Sequence, residues 1–168
     1  MELSDTILCF GGFVLAHAAR IASVLEEGEL ICPFAVITKD DRRQTIDFES
    51  ESQAESVARG KASLDEYRDQ VDFWSLAREG LHSIEGSDQP KVDVLLVSVW
   101  THGMSEPIEL MQRFRPAHPG PFALLGPIEL YVEQCRVNAE SAAILHPMVM
   151  EGVRQHPRGD LWATWLVH

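Results

Sequence analysis

The residues best suited to chemistry lie around the end of one apolar segment. The run VDVLLVSVW (92–100) is followed by His102 and then by Glu106, and His118 comes after the next apolar segment. An imidazole can act as a general base near neutral pH, and a neighbouring carboxylate orients the ring and raises its basicity. Ligands often bind where central strands end. The spacing therefore predicts a strand-end pocket with His102, Glu106 and His118 as candidate catalytic residues.

The same residues also fit an ordinary hairpin turn, THGMSEP (101–107). A catalytic site needs a nucleophile or a metal partner in the right geometry. The sequence contains no H-E-x-x-H, no phosphate-binding G-x-x-x-x-G-K-[ST] and no G-x-S-x-G motif. Its seven histidines are scattered without the close spacing of a zinc site. We therefore predict no cofactor and no metal ligands, and favour a protein that is not an enzyme.

The charge of the chain bears on its partners. Its 168 residues carry a formal net charge of −12, which opposes binding to nucleic-acid backbones and to anionic membranes. A basic protein partner is compatible with this charge. The three cysteines, Cys9, Cys32 and Cys135, form no C-x-x-C pair, which favours reduced, mostly buried thiols in the cytoplasm.

The first apolar segment, ILCFGGFVLAHAARIASVL (7–25), resembles a membrane segment in its composition. A signal peptide has a basic stretch before its apolar core, but the preceding residues MELSD are acidic. Apolar residues recur at spacings of three and four, and Ser4 suits a helix N-cap. We predict a buried helix over 4–27 in a soluble protein, with Gly11 and Gly12 allowing close packing on a sheet.

The remaining patterns predict an α+β fold: a mixed, mostly antiparallel sheet of about five strands with helices packed on one face. Residues 1–168 are expected to form a single domain, with 138–168 as a helical C-terminal extension. The predicted elements are a hairpin over 30–49, helices over 53–59 and 63–80, strands over 92–100, 106–116 and 122–132, a helix divided by Pro147, and a last strand or packed tail over 161–167.

A sheet covered on one face leaves its other face free for an interface. Alternation places Met111, Arg113 and Arg115 on that face, together with Thr45, Asp47 and Glu49 of the hairpin. Trp100 is an aromatic residue of the kind that anchors interfaces. The predicted binding residues are therefore Trp100, Met111, Arg113 and Arg115, and a homodimer is one arrangement that would use them.

The order of elements is similar to that of other proteins. A first helix, PFAVI opening a hairpin, a long helix and then VDVLLVSVWTHG resemble the layout of small bacterial α/β proteins of uncharacterised function. The layout is also similar to immunity proteins of bacterial toxin systems, which are often small, acidic and catalytically silent. This resemblance covers residues 1–135 in the order of elements and includes no motif, so it implies no functional residue.

Two functions remain open from the sequence. The first is a cytoplasmic, non-enzymatic interaction or regulatory protein, of which an immunity protein is one example. The alternative is a small hydrolase or metal-dependent enzyme with a strand-end pocket around His102. They differ in whether the two histidines and Glu106 meet in one site.

Overall fold

The computed structural model of the chain describes residues 3–83, 88 and 91–167. The strands are β1 (Phe34–Lys39), β2 (Arg42–Asp47), β3 (Phe73–His82), β4 (Val92–Thr101), β5 (Ile108–Arg115), β6 (Ala123–Val132) and β7 (Cys135–Arg136). The helices are α1 (Asp5–Ala22), α2 (Gln53–Tyr67), α3 (Ala139–Gln155) and α4 (Leu161–Trp165). The strands form one sheet in the order β2-β1-β3-β4-β5-β6-β7, and all neighbours are antiparallel.

The α+β fold and the antiparallel sheet confirm the prediction, but the sheet has seven strands rather than five. One additional strand is the two-residue β7 and the other is β3, which lies in a segment predicted to be helical. In β3 the side chains of Trp74 and Leu76 are buried on one face, and those of Ser75 and Ala77 on the other. A strand covered on both faces lacks alternation, so the helix-like spacing of its apolar residues was misleading.

Helix α1 is enclosed between the sheet and α3. Its N-cap is Ser4, whose side chain accepts the backbone N–H of Ile7 at 3.3 Å, as predicted. Gly11 faces Leu110 and Val99 of the sheet, as predicted, whereas Gly12 faces the backbone of α3 at Val149. The helix is long and apolar enough to cross a membrane, with a mean hydropathy of 1.3, and 61% of it is buried inside the protein.

Helix α2 packs on the opposite face of the sheet, so the helices are not confined to one face. Gly60 lies against Leu76, and the indole N–H of Trp74 donates to Ser63 Oγ at 3.0 Å. The helix continues through Gly60, where the sequence predicted a break. Glycine suits this position because a side chain would collide with Leu76. Helix α2 contacts mainly β3.

The register of the hairpin changes the predicted free face. Thr45 pairs with Val36 and Asp47 with Phe34, and cross-strand partners share a face of the sheet. Thr45 and Asp47 therefore lie on the α1 face, whereas Met111 is directly opposite Leu96 on the α2 face. The predicted polar face is thus divided between the two sides of the sheet.

The C-terminal segment also departs from its predicted form. Helix α3 contains Pro147 and is continuous from Ala139 to Gln155, where a divided helix was predicted. Of the two predicted forms of residues 161–167, the packed tail fits better than the strand, because residues 161–165 form α4; a parallel bridge joins Leu166 to Leu124 of β6. Trp162 of α4 is buried in the core, so this segment closes the α1 side of the sheet.

Candidate functional site

His102 lies in the turn after β4, and its ring is engaged within the fold. Its Nε2 is 2.7 Å from the carbonyl oxygen of Val71, which can only accept, so this nitrogen carries the proton and donates. The ring also packs edge-on against Trp100, with 5.1 Å between centroids. His102 therefore fastens the β4–β5 turn to the segment that precedes β3.

The other two candidate catalytic residues are not gathered around His102. Glu106 lines a groove of about 420 Å³ between α2 and the sheet, together with Glu109 and Tyr131. His118 lies in the β5–β6 turn at the opposite end of β5, beside the loop that follows α1. Among the described residues, no three His, Cys, Asp or Glu side chains are close enough to hold a metal ion.

The predicted binding residues have structural contacts of their own. Trp100 is 2% exposed and its indole N–H donates to the carbonyl of Met104 at 2.9 Å, and Met111 is 3% exposed. Arg113 forms an ion pair with Glu129 at 3.2 Å, and Arg115 donates to the carbonyl of Pro121. Trp100 and Met111 are thus core residues, and neither presents surface to a partner.

A strongly acidic surface lies at the end of the sheet where β3 ends and β4 begins. Three segments supply it: the loop after α1, β3 and β4. We call it the acidic end, and it consists of Glu26, Glu27, Glu29, Glu79 and Asp93 with the apolar residues Leu30 and Leu81. Glu79 joins the segments because its Oε2 accepts the backbone N–H of Ile31 at 3.2 Å.

Two carboxylates of the acidic end are partly withdrawn from water. Burial raises the pKa of Glu79; the hydrogen bond from the Ile31 N–H opposes this rise, and the nearby Asp93 adds to it. Burial also raises the pKa of Asp93. Within the described part of the chain neither residue forms an ion pair. Buried charges are usually paired, and these two partly buried carboxylates have no cationic partner among the described residues.

Leu30 and Leu81 add exposed apolar surface beside the carboxylates. Their side chains are 57% and 64% exposed, among the most exposed large apolar residues described. Leu81 is directly opposite Asp93 in the β3–β4 ladder, so an apolar and a charged side chain lie next to each other. Single exposed leucines are ordinary, but here two adjoin a surface lined by no described Lys or Arg.

A larger groove of about 760 Å³ lies between α1, α3 and the tip of the β1–β2 hairpin. Phe10, Phe73 and Met148 contribute apolar surface to its lining. Cys9 also lines it, and burial raises the pKa of its thiol, which makes it a poor nucleophile. The guanidinium of Arg43 lies over the ring of Phe13, 3.9 Å from the centroid. The lining combines opposite charges, so it favours no single class of ligand.

A pair of histidines joins α1 to the residue that follows α3. His17 Nδ1 is 3.0 Å from His156 Nε2, and His156 Nδ1 accepts the backbone N–H of Arg158 at 3.0 Å. The second contact requires His156 to carry its proton on Nε2, so His156 donates to His17 and both rings are neutral. Burial lowers the pKa of both histidines, in agreement with this arrangement.

The thiols differ from the prediction of buried cysteines. Cys32 and Cys135 are exposed and Cys9 is partly exposed, and all three are free. Cys9 lies in α1, Cys32 in the loop before β1 and Cys135 in β7. Exposed free thiols persist where the surroundings are reducing.

The acidic end was not found from the sequence, although two signals point to it. The run EEGE (26–29) places three carboxylates in four residues, and Asp93 interrupts an otherwise apolar strand. Glu79 gave no signal because its segment was predicted to be helical. The surface exists because the loop after α1 meets β3, which no local pattern encodes.

Comparison with protein-family models, with curated proteins and with solved structures finds no match to this chain. The resemblance in layout to immunity proteins therefore stays a prediction. Among the described surfaces, the acidic end has the most uniform chemistry, with five carboxylates and two exposed leucines.

Proposed function

We propose that this protein is a cytoplasmic, non-enzymatic interaction protein that binds a basic segment of a partner protein on the acidic end. The observation that carries the proposal is the pair of partly buried carboxylates, Glu79 and Asp93, without an ion-pair partner among the described residues. A lysine or arginine of the partner would supply the missing charge. The net charge of −12 would attract the same partner at long range.

The apolar residues define the partner further. A segment with an apolar side chain between basic residues would cover Leu30 or Leu81 while its cations reach the carboxylates. Such a mixture of an apolar centre and a charged rim is the usual arrangement of protein interfaces. The carboxylates are spread over three chain segments rather than gathered around one point, which suits several side-chain cations better than one metal ion.

The proposal is tested with two synthetic peptides of equal length, one of Lys and Leu and one of Glu and Leu. We expect fluorescence anisotropy to show binding of the Lys/Leu peptide and none of the Glu/Leu peptide, with affinity falling as salt rises. The double variant Glu79→Gln/Asp93→Asn should bind the Lys/Leu peptide at least about tenfold more weakly. An ion pair in a partly buried site contributes more binding free energy than an exposed pair on the surface.

The matched control is Glu55→Gln/Glu66→Gln, which removes two exposed carboxylates from α2 on the other face of the sheet. It makes the same change in net charge and should alter the affinity by less than about twofold, as expected for distant surface charges. Equal losses in the two double variants would mean that net charge alone attracts the peptide. That result, or equal binding of the Glu/Leu peptide, would overturn the proposal.

A further inference from the structure

Strand β2 is an edge of the sheet with an ordered set of free backbone groups. Asp40 and Asp41 have φ of 50° and 63°, as in a two-residue hairpin turn, which makes Lys39 and Arg42 a hydrogen-bonded pair. Hydrogen-bonded and non-hydrogen-bonded pairs alternate along an antiparallel ladder. Arg43, Thr45 and Asp47 therefore direct their N–H and C=O groups away from β1.

The backbone contacts of β1 support this assignment. Val36, the partner of Thr45, exchanges hydrogen bonds with the side chain of Ser75 in β3, at 3.2 and 3.0 Å. Its polar backbone groups thus point toward β3, and those of Thr45 point to the outside. Of the described strands, β1 is the one that pairs with β2, so the outer groups of Arg43, Thr45 and Asp47 face solvent.

The three outward-facing residues are complementary to themselves. When two copies of β2 pair antiparallel about a two-fold axis through Thr45, Arg43 lies opposite Asp47 of the second copy and Asp47 lies opposite Arg43. Directly opposed side chains of opposite charge stabilise an antiparallel pair. Centring the pair on Arg43 or Asp47 would oppose like charges, and centring it on Gln44 or Ile46 would not bring Arg43 opposite Asp47. The register centred on Thr45 is therefore the one that pairs these two opposite charges.

The strand is also available for such pairing. Arg42, Arg43, Gln44, Thr45 and Asp47 are exposed, and neither Arg43 nor Asp47 forms an ion pair within the described part of the chain. Natural edge strands are usually protected by proline, bulges or charged side chains. Strand β2 has no proline and pairs with β1 in an unbroken register over all six of its residues, and its charges are of both signs.

We propose that β2 binds β2 of a second copy of this chain in the register centred on Thr45, which joins the two seven-stranded sheets into one. This dimer is separate from the binding of a basic partner, because β2 contributes no residue to the acidic end. Interfaces smaller than about 1,200 Å² are weak, so an edge-to-edge pair is expected to form reversibly as the protein concentration rises.

The first test is sedimentation velocity over a wide range of protein concentrations, on the wild type and on Thr45→Pro. The outward N–H of Thr45 is not used within the monomer, so proline should preserve the fold, judged by circular dichroism, and abolish the dimer. We expect a concentration-dependent dimer in the wild type and a monomer in the variant. A wild type that is monomeric throughout, or a dimer that persists in a folded Thr45→Pro, would overturn the proposal.

The second test swaps the charges. Arg43→Asp and Asp47→Arg should each weaken the dimer at least about tenfold, because each puts like charges in both cross-strand pairs. An equimolar mixture of the two single variants should form heterodimers, since every opposed pair then has opposite charges. The control Arg42→Asp changes the same charge on the other face, opposite Phe48 of the second copy, and should have a smaller effect. Single variants that dimerise as well as the wild type would rule out this register.

Discussion

The crossing of α1 and α3 and the acidic end are built in opposite ways. At the crossing, Gly12 and Gly152 let the two helix backbones touch, and a hydrogen bond joins the histidine pair beside it. At the acidic end, Glu79 and Asp93 are partly buried without an ion-pair partner among the described residues. The first region stabilises the monomer, whereas the second retains charges that the monomer alone does not use.

The largest expected effect comes from breaking the crossing. A Cβ at Gly152 would collide with the carbonyl oxygen of Cys9, and one at Gly12 with that of Val149. Backbone atoms cannot move aside as a side chain can, so Gly152→Ala should lower the free energy of unfolding by about 3 kcal/mol or more. Urea denaturation monitored by tryptophan fluorescence measures this loss.

Gly11→Ala is the matched control for that variant. Its Cβ would meet the side chain of Leu110 at 2.7 Å rather than backbone, and alanine is the better helix former by about 1 kcal/mol. The cost of Gly11→Ala should therefore be less than half that of Gly152→Ala. Equal losses of unfolding free energy at the two positions would show that the backbone contact at the crossing costs no more to disturb than the side-chain contact at Gly11.

A second effect should appear when the histidine pair is titrated. The pKa of each ring is lowered by burial, and Arg20 and Arg43 further lower that of His156, whereas Asp47 raises that of His17. A base with a lowered pKa stabilises the fold above its unfolded pKa and loses that contribution as the pH falls. Protonation of either ring also places N–H against N–H, so the pair should lose roughly 1–2 kcal/mol of stability between pH 7 and 5.

His17→Asn distinguishes this effect from the background. The amide oxygen of asparagine can accept the same N–H without titrating, so the variant should lose less stability on acidification than the wild type does. Urea midpoints at the two pH values give the comparison, and identical pH dependence in His17→Asn and wild type would contradict it.

The acidic end should change the stability with pH in the opposite direction to the histidine pair. Because burial raises the pKa of Glu79 and Asp93, their ionisation costs stability as the pH rises through those pKa values. Glu79→Gln keeps an acceptor for the Ile31 N–H and removes the charge, so the unfolding free energy at pH 7 should increase by up to about 1 kcal/mol. Calorimetry at pH 7 tests this gain, and a lower melting temperature would contradict it.

The smallest effect is expected at His102. Its ring donates one hydrogen bond and packs against Trp100 at the surface, so His102→Ala should cost about 1 kcal/mol or less. Peptide binding at the acidic end should be unchanged, because the turn lies at the other end of β4. A loss of peptide binding in the folded variant would show that the β4–β5 turn affects the acidic end, and would contradict this prediction.

Local chemistry could be predicted from the sequence where it depends on neighbouring residues. The Ser4 cap, the apolar strand over 92–100 and the hairpin over 30–49 were all found because each is encoded within a short stretch of the chain. The approach of Gly12 to α3 could not be found, because the partner backbone lies far along the chain. Strand β3 was missed for a related reason, since its burial on both faces comes from two different helices.

The acidic end shows the same limit for function. Its carboxylates come from a loop and two strands, and the unusual pKa of Glu79 arises from burial that only the assembled sheet provides. Conversely, His102 and Glu106 had suitable chemistry and spacing, but antiparallel β5 carries the chain away to the other end before His118. Residue types indicated possible reactions, and topology decided which side chains could meet.

The position of α1 has a consequence for the synthesis of the protein. The apolar helix α1 is synthesised well before α3, which covers its outer side. Until α3 has been synthesised, the growing chain exposes an apolar surface of α1 that chaperones or neighbouring nascent chains could bind. The contact between α1 and α3 can therefore form only after α3 has been synthesised, and slow translation of the segment between them would prolong the exposure.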